Sequence, residues 1–290
     1  MDSINGYLTT PDGISLYAVF HPAGQTSASI FRPVLILPPL FEERKSAYAT
    51  LRILAETLAA AGHPTLRFDW RGSGESGGKP GERCLSDLLT DATTTAQALS
   101  TWTTKAGLSP DKNGLVYLLG VRLSASLAMA WASEQSSFPS AGVIAIAPVV
   151  SGERQVRHWR LRSKMRAELT GQTAPTLPIT TENAIEDFEG CDTPVEFFDA
   201  VAALNLDKHP PRLSRPTLLL QISPNAELNG ETLKLLQHLR QNASSRIIDA
   251  EVVTAAPFWE RLEALEAAGC PDLNEAVVKA LRRMEGAQSR

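Results

Sequence analysis

Leu115-Val116-Tyr117-Leu118-Leu119-Gly120-Val121-Arg122-Leu123-Ser124-Ala125-Ser126 brings three kinds of local structure together. The apolar run 115–119 reads as a buried strand, and Gly120, Ser124 and Ala125 supply the small neighbours that a tight turn needs. The small-residue stretch 124–133 then reads as a helix, so the side chain at the tip of the turn is Arg122. An ordinary strand-loop-helix is the plainer reading of these residues, and the order of the flanking segments decides between the two.

Upstream, Pro11-Asp12-Gly13 joins two short extended pieces, 7–10 and 14–20, as a hairpin turn in which proline presets φ and glycine accepts positive φ. The strand 33–37, a helix over 43–61 ended by Gly62, the strand 65–69 and a helix over 85–104 follow. Downstream lie strand 143–147, strand 216–222, helix 231–241, strand 247–253 and a terminal helix over 273–284. Repeated strand-helix-strand units imply a mainly parallel twisted sheet with helices on both faces, because each parallel crossover needs a covering element. The alternation breaks over 151–214, where Arg154, Arg157, Arg160, Arg162, Lys164 and Arg166 precede an acidic, proline-containing stretch over 182–194. We read this segment as a cap inserted into one α/β domain spanning 1–290.

At 43% hydrophobic and 21% charged residues with a net charge of −4, the 290-residue chain has the profile of a soluble globular protein and no basic surplus to attract nucleic acid. Met1-Asp2-Ser3-Ile4-Asn5-Gly6 lacks a basic and apolar leader pattern, and the apolar runs are only strand-length, so the expectation is a cytoplasmic, non-spanning protein. Cys84, Cys191 and Cys270 are odd in number and widely spaced, which points to buried or incidental thiols rather than a disulfide framework or metal site. Neither a metal nor a cofactor is expected. Gly72, Gly74 and Gly77 form a Gly-x-Gly-x-x-Gly, but the loop runs on through Gly78-Lys79-Pro80-Gly81 before any helix, and no Walker pattern is present.

These features resemble the α/β-hydrolase fold. The turn at 120–124 is similar to the Gly-x-Ser-x-Gly elbow, with Arg122 where the nucleophilic serine stands. Phe68-Asp69-Trp70-Arg71-Gly72-Ser73-Gly74-Glu75-Ser76 looks like the structural Asp-x-Arg-Gly-x-Gly-x-Ser turn of those enzymes. The segment ending Ser223-Pro224-Asn225 lines up with the one that supplies the triad acid, and Ala255-Ala256-Pro257-Phe258-Trp259 with the one that supplies the histidine. Arg122, Asn225 and Pro257 thus stand at the three triad positions, and no general base is placed beside a nucleophile. Ser124 and Ser126 lie beyond the tip, Glu227 could stand in for the acid, and His158 or His209 could be brought near. Prolines 38 and 39 carry no N–H, so oxyanion donors would come from Leu40 or Phe41 together with Leu123. A guanidinium in a cleft needs a partner, so Arg122 should meet Glu42, Glu43 or an anionic ligand.

Pro38-Pro39-Leu40-Phe41-Glu42-Glu43-Arg44-Lys45-Ser46, the arginine turn and Ala256-Pro257-Phe258-Trp259-Glu260 together resemble a narrower group, the second hydrolase-like family encoded with bacterial exosortase A systems. The chain departs from that pattern at Ser124, where the family tends to glycine, and at Leu40-Phe41 within the acidic loop. The resemblance implies a cytoplasmic bacterial protein tied to exopolysaccharide production and protein sorting. Two functions follow as alternatives. One is a non-catalytic protein that binds a small acyl or anionic molecule, or a protein partner, through Arg122, Glu42, Glu43, Leu40, Leu123, Asn225 and Trp259. The other is an ester or thioester hydrolase or acyltransferase with an unconventional nucleophile such as Ser124. A third reading has the basic stretch 154–166 docking on an acidic partner, against the blander one of a solvated helix.

Overall fold

Gly13, at φ 86°, closes the turn that sets the first register, in which β1 (Ile4–Thr9) runs antiparallel to β2 (Ser15–His21). The structure, a computed structural model, describes residues 2–24, 32–79, 83–107, 114–133, 138, 140–170, 184–189, 191–245, 247–260 and 269–288; the side chains of 166, 169, 170, 287 and 288 lie outside this description. Pro80, Gly81 and part of the expected cap, 171–183, therefore fall outside it, as does the side chain of Arg166.

From β3 (Val34–Leu37) the chain alternates through α1 (Phe41–Ala60), β4 (Thr65–Phe68), α2 (Leu85–Lys105), β5 (Val116–Val121), α3 (Leu123–Trp131) and β6 (Ser140–Ile146). It then leaves the sheet for an excursion of α4 (Gly152–Thr170), a hairpin of β7 (Ile185–Phe188) and β8 (Cys191–Pro194), and α5 (Val195–Ala203). It returns through β9 (Thr217–Ser223), α6 (Gly230–Asn242), β10 (Ile248–Thr254) and α7 (Pro271–Gln288). The eight-stranded sheet has the order β1-β2-β4-β3-β5-β6-β9-β10, and β2 pairs antiparallel with both β1 and β4 while every later pairing is parallel. This is the mainly parallel sheet anticipated from the alternation, in the α/β-hydrolase arrangement that the resemblance implies.

Because β3, β5 and β6 are covered on both faces, they are buried along their whole length and, apart from Ser140, read as continuous apolar runs rather than alternating. Leu51, Leu54, Val277 and Leu281 pack from one side on Ile36, Leu119 and Ile144; Leu99, Met129 and Leu239 pack from the other on Leu35, Leu118 and Val143.

Several boundaries differ from the sequence expectation, and three of them do so for an identifiable local reason. The first helix starts at Phe41 rather than 43, with Glu42 and Glu43 in its first turn where the helix dipole favours carboxylates. The last starts at Pro271 rather than 273, because proline suits the first helical position, whose N–H has no helical partner. The strand expected over 143–147 begins at Ser140, where its pairing with β5 shifts register between Val116 and Tyr117. Among the free thiols only Cys270 is buried; Cys191 is half-buried, and Cys84 is exposed, its amide donating to Asp87 at the start of α2.

Candidate functional site

At the carboxyl end of β5 the backbone reverses into α3 through Arg122, whose φ of 59° and ψ of −125° are a conformation that L residues seldom adopt. The turn is held by the Arg122 amide donating to Ile146 O at 2.9 Å and the Ala125 amide donating to Arg122 O at 3.0 Å. Glycine is required at 120, since a Cβ there would lie 2.6 Å from Ser124 O and Ala125 Cα. This is the sharp strand-to-helix elbow rather than an ordinary loop, and it presents the Arg122 side chain over the ends of the central strands.

The guanidinium is bound on several sides. Nη2 donates to Gln155 Oε1 at 2.8 Å, Nη1 donates to Ala147 O at 3.2 Å, and Nε lies 3.5 Å from Glu43 Oε1. Its Cζ sits 5.2 Å from the centre of the Trp259 ring. Glu43, only 2% exposed, also accepts from Gln155 Nε2 at 3.2 Å and Trp159 Nε1 at 3.3 Å. Of the two acids left open by the sequence, Glu43 is therefore the internal partner of Arg122. Glu42 pairs with Lys45 instead, and its amide donates to Glu189 Oε2 at 3.2 Å. Arg122 Nε, Glu43 Oε2 and Trp259 Nε1 are buried polar atoms without a hydrogen bond among the described residues, so polar capacity converges on this point.

The loop before α1 forms the adjoining wall. Leu40 is buried, and Phe41, at φ 55°, turns its ring into a cluster with Trp159, Phe188, Phe197 and Phe198 of the excursion. Arg83, 2% exposed, lies over the rings of Phe41 and Phe197 at 5.0 and 5.1 Å, and burial pushes its guanidinium down to about 10. The carbonyl of Pro38 accepts from Ser124 Oγ at 2.6 Å and Trp70 Nε1 at 2.8 Å.

Ser124 is thus fully buried with its proton committed to a backbone carbonyl, and Ser126 likewise donates to Val149 O at 2.8 Å. Leu123 is buried beneath the tip. Asn225 is exposed, its amide donating to Ser223 Oγ at 3.1 Å, and its side chain makes no hydrogen bond to Arg122 or Glu43 among the described residues. Glu227 is also exposed. Pro257 is half-buried and leads into Phe258 and Trp259, whose rings meet at 5.0 Å. His158 is half-buried on α4 and His209 exposed, and neither hydrogen-bonds to a serine among the described residues. The structure therefore gathers Arg122, Glu43 and Trp259, keeps Leu40 and Leu123 as packing around them, and leaves Glu42 and Asn225 with other contacts. Gln155 and Trp159, which the sequence did not single out, complete the group from the excursion.

The glycine-rich turn is structural. Arg71 pairs with Asp91 at 2.8 Å and Asp12 at 2.7 Å, Asp69 with Arg44 at 2.9 Å, and a Cβ on Gly74 would lie 2.0 Å from Asp69 Oδ2. Of the basic stretch on α4, Arg154 meets Glu231, Arg157 meets Glu153 and Arg160 meets Glu186. No metal-ligating cluster and no helix long and apolar enough to cross a membrane occurs among the described residues.

A mainly parallel sheet with a strained strand-to-helix elbow at the end of a central strand defines an α/β-hydrolase-class protein. The family model for serine aminopeptidase, S33, matches residues 41–221, from α1 to β9, and the chain belongs to that family. Solved structures agree on the fold. A Pyrococcus furiosus esterase is 16% identical with a TM-score of 0.63, covering 98% of this chain and 91% of its own. A soluble variant of Saccharomyces cerevisiae monoglyceride lipase, solved with a substrate analogue, is 12% identical with a TM-score of 0.64, covering 96% and 94%. Est1E of Butyrivibrio proteoclasticus, solved with ferulic acid, is 16% identical with a TM-score of 0.60, covering 97% and 99%. No curated protein matches the chain.

Proposed function

We propose that this chain is an α/β-hydrolase-fold protein working without a Ser-Asp-His triad, with Arg122, Asn225 and Pro257 at those positions, as a binding protein for a small acyl or anionic molecule or for a protein partner. The observation that carries the reading is Arg122 itself. It occupies the strained tip, and Glu43, Gln155 and Trp259 hold its side chain there. An arginine cannot act as the acyl-accepting nucleophile, and Ser124 has neither exposure nor a neighbouring base. The Glu43 ion pair leaves the tip close to neutral, which favours the carbonyl of an acyl group over a free anion as the ligand's anchor. Esterase and lipase neighbours, one solved with a substrate analogue and one with ferulic acid, support a small-molecule ligand. The segment 151–214 would serve as the cap over this cleft, and the likeness at 38–46, 120–125 and 256–260 supports a cytoplasmic role in bacterial exopolysaccharide and exosortase systems.

Fluorophosphonate labelling read by intact mass tests the reading, with Ser124→Ala and Arg122→Ala variants alongside. The expected result is no adduct on any of the three proteins. A stoichiometric adduct on the parent chain that disappears in Ser124→Ala overturns it in favour of a relocated nucleophile.

A further inference from the structure

The two edges of the sheet are guarded differently. At one end lies β10, where Asp249 and Glu251 alternate along the strand and both are ion-paired, Asp249 with Arg240 at 3.1 Å and Arg283 at 2.8 Å, Glu251 with Lys279 at 3.5 Å. Charged side chains along an edge deter a further strand. At the other end lies β1, Ile4-Asn5-Gly6-Tyr7-Leu8-Thr9, which has no charged residue and no proline and is exposed at every position but Leu8. Ile4 and Tyr7, at 63% and 61%, are the most exposed large apolar side chains among the described residues.

The hairpin determines which backbone groups of β1 are spare. The Thr10 amide donates to Ile14 O at 2.9 Å, in step with the β1–β2 register, so the even-numbered residues of β1 direct their N–H and C=O groups at β2. Tyr17, the register partner of Tyr7, faces the other way: its carbonyl accepts from the Asp69 amide at 3.0 Å, and its amide donates to Ser76 Oγ at 2.8 Å. Asn5, Tyr7 and Thr9 therefore aim their N–H and C=O groups outward from the sheet.

We propose that β1 is a self-association edge, on which a second copy of this chain adds its own β1 antiparallel about a twofold axis at Gly6. Such an axis pairs outward-facing residues with one another. Asn5 then meets Tyr7 of the second copy, and Tyr7 its Asn5, giving a hydrogen-bonded pair on each side of the axis. On the opposite face Ile4 lies across from Leu8, apolar on apolar, and no like charges are opposed, since Asp2 falls across from Thr10. The hairpin itself does not need glycine at 6, where a Cβ would meet nothing within 4 Å. At the axis, where the two Gly6 residues form a closely spaced pair, the missing side chain lets the strands approach. A foreign strand would have to bring a matching pattern; this edge matches itself. The contact is one strand wide, which places it among weak dimers of about micromolar affinity.

Sedimentation equilibrium of the full chain from about 1 to 200 µM tests this, with Tyr7→Pro, Ile4→Lys and Leu233→Lys compared. The parent should pass from the 31.3 kDa monomer to twice that mass across the range. Tyr7→Pro removes an outward N–H and none directed at β2, so the hairpin stays and the dimer should be lost. Ile4→Lys should weaken association about tenfold or more. Leu233→Lys, the same kind of change at an exposed apolar residue of α6, should leave it unaltered. A parent that stays monomeric throughout, a dimer that survives Tyr7→Pro, or one that Leu233→Lys abolishes overturns the proposal. Should the variants not fold, amide exchange in the parent decides: the Asn5 and Tyr7 amides should slow as concentration rises, and exchange independent of concentration overturns it equally.

Discussion

Gly120 and Arg122 carry the elbow in different ways. Gly120 is a matter of space, because any Cβ there meets backbone atoms that cannot rotate aside. Gly120→Ala should therefore destabilise the protein by about 1–3 kcal/mol, the range for overpacking a close-packed site, read as a lower urea midpoint with an unchanged slope. Arg122 is a matter of charge, and here the sequence goes only part of the way. The small residues at 120, 124 and 125 make the turn legible, and a buried guanidinium demands an acid. Choosing between Glu42 and Glu43 needs helical phase: adjacent residues point about 100° apart, so only one can face the tip. The start of α1 at Phe41 fixes Glu43 as that one.

Among the elements, the strands and helices of the sheet are legible because each writes its own period or apolar run. The excursion's share of the site is not. Gln155 and Trp159 reach Glu43 from 112 and 116 residues further along the chain, and nothing local in α4 marks those two side chains. What anchors the excursion is Phe41, whose ring contacts both its first helix, through Trp159, and its second, through Phe197 and Phe198. Phe41→Ala should therefore free α4 and α5 before the sheet yields. The expected signature is faster amide hydrogen exchange over 152–165 and 195–203, with the amides of β5 and β6 unchanged. Uniform acceleration across the sheet would show instead that the ring supports the whole core.

For the molecule as a whole, acid stability follows from two histidines. His21 is lowered from 6.5 to about 4 and His63 is lowered as well, burial being the first cause for each. A lowered pKa means that the unfolded chain binds the proton first as pH falls. The stabilisation from the neutral rings is thus complete above pH 6.5, is lost as pH drops from 6.5 towards 4, and changes little below. The urea midpoint should be lower at pH 4.5 than at pH 7, and His21→Gln, which keeps an acceptor for the Arg67 Nε that donates to His21 Nε2 at 3.1 Å, should shrink that difference. A midpoint flat across this interval would show that the two rings take up protons in the fold as readily as in the unfolded chain. A single oxygen, the Pro38 carbonyl, is clasped by a tryptophan from beyond β4 and a serine from α3, both wholly buried. Three stretches far apart in the sequence therefore meet at one atom, and the loop ahead of α1 is tied at a single point both to the chain after β4 and to the helix that follows the elbow.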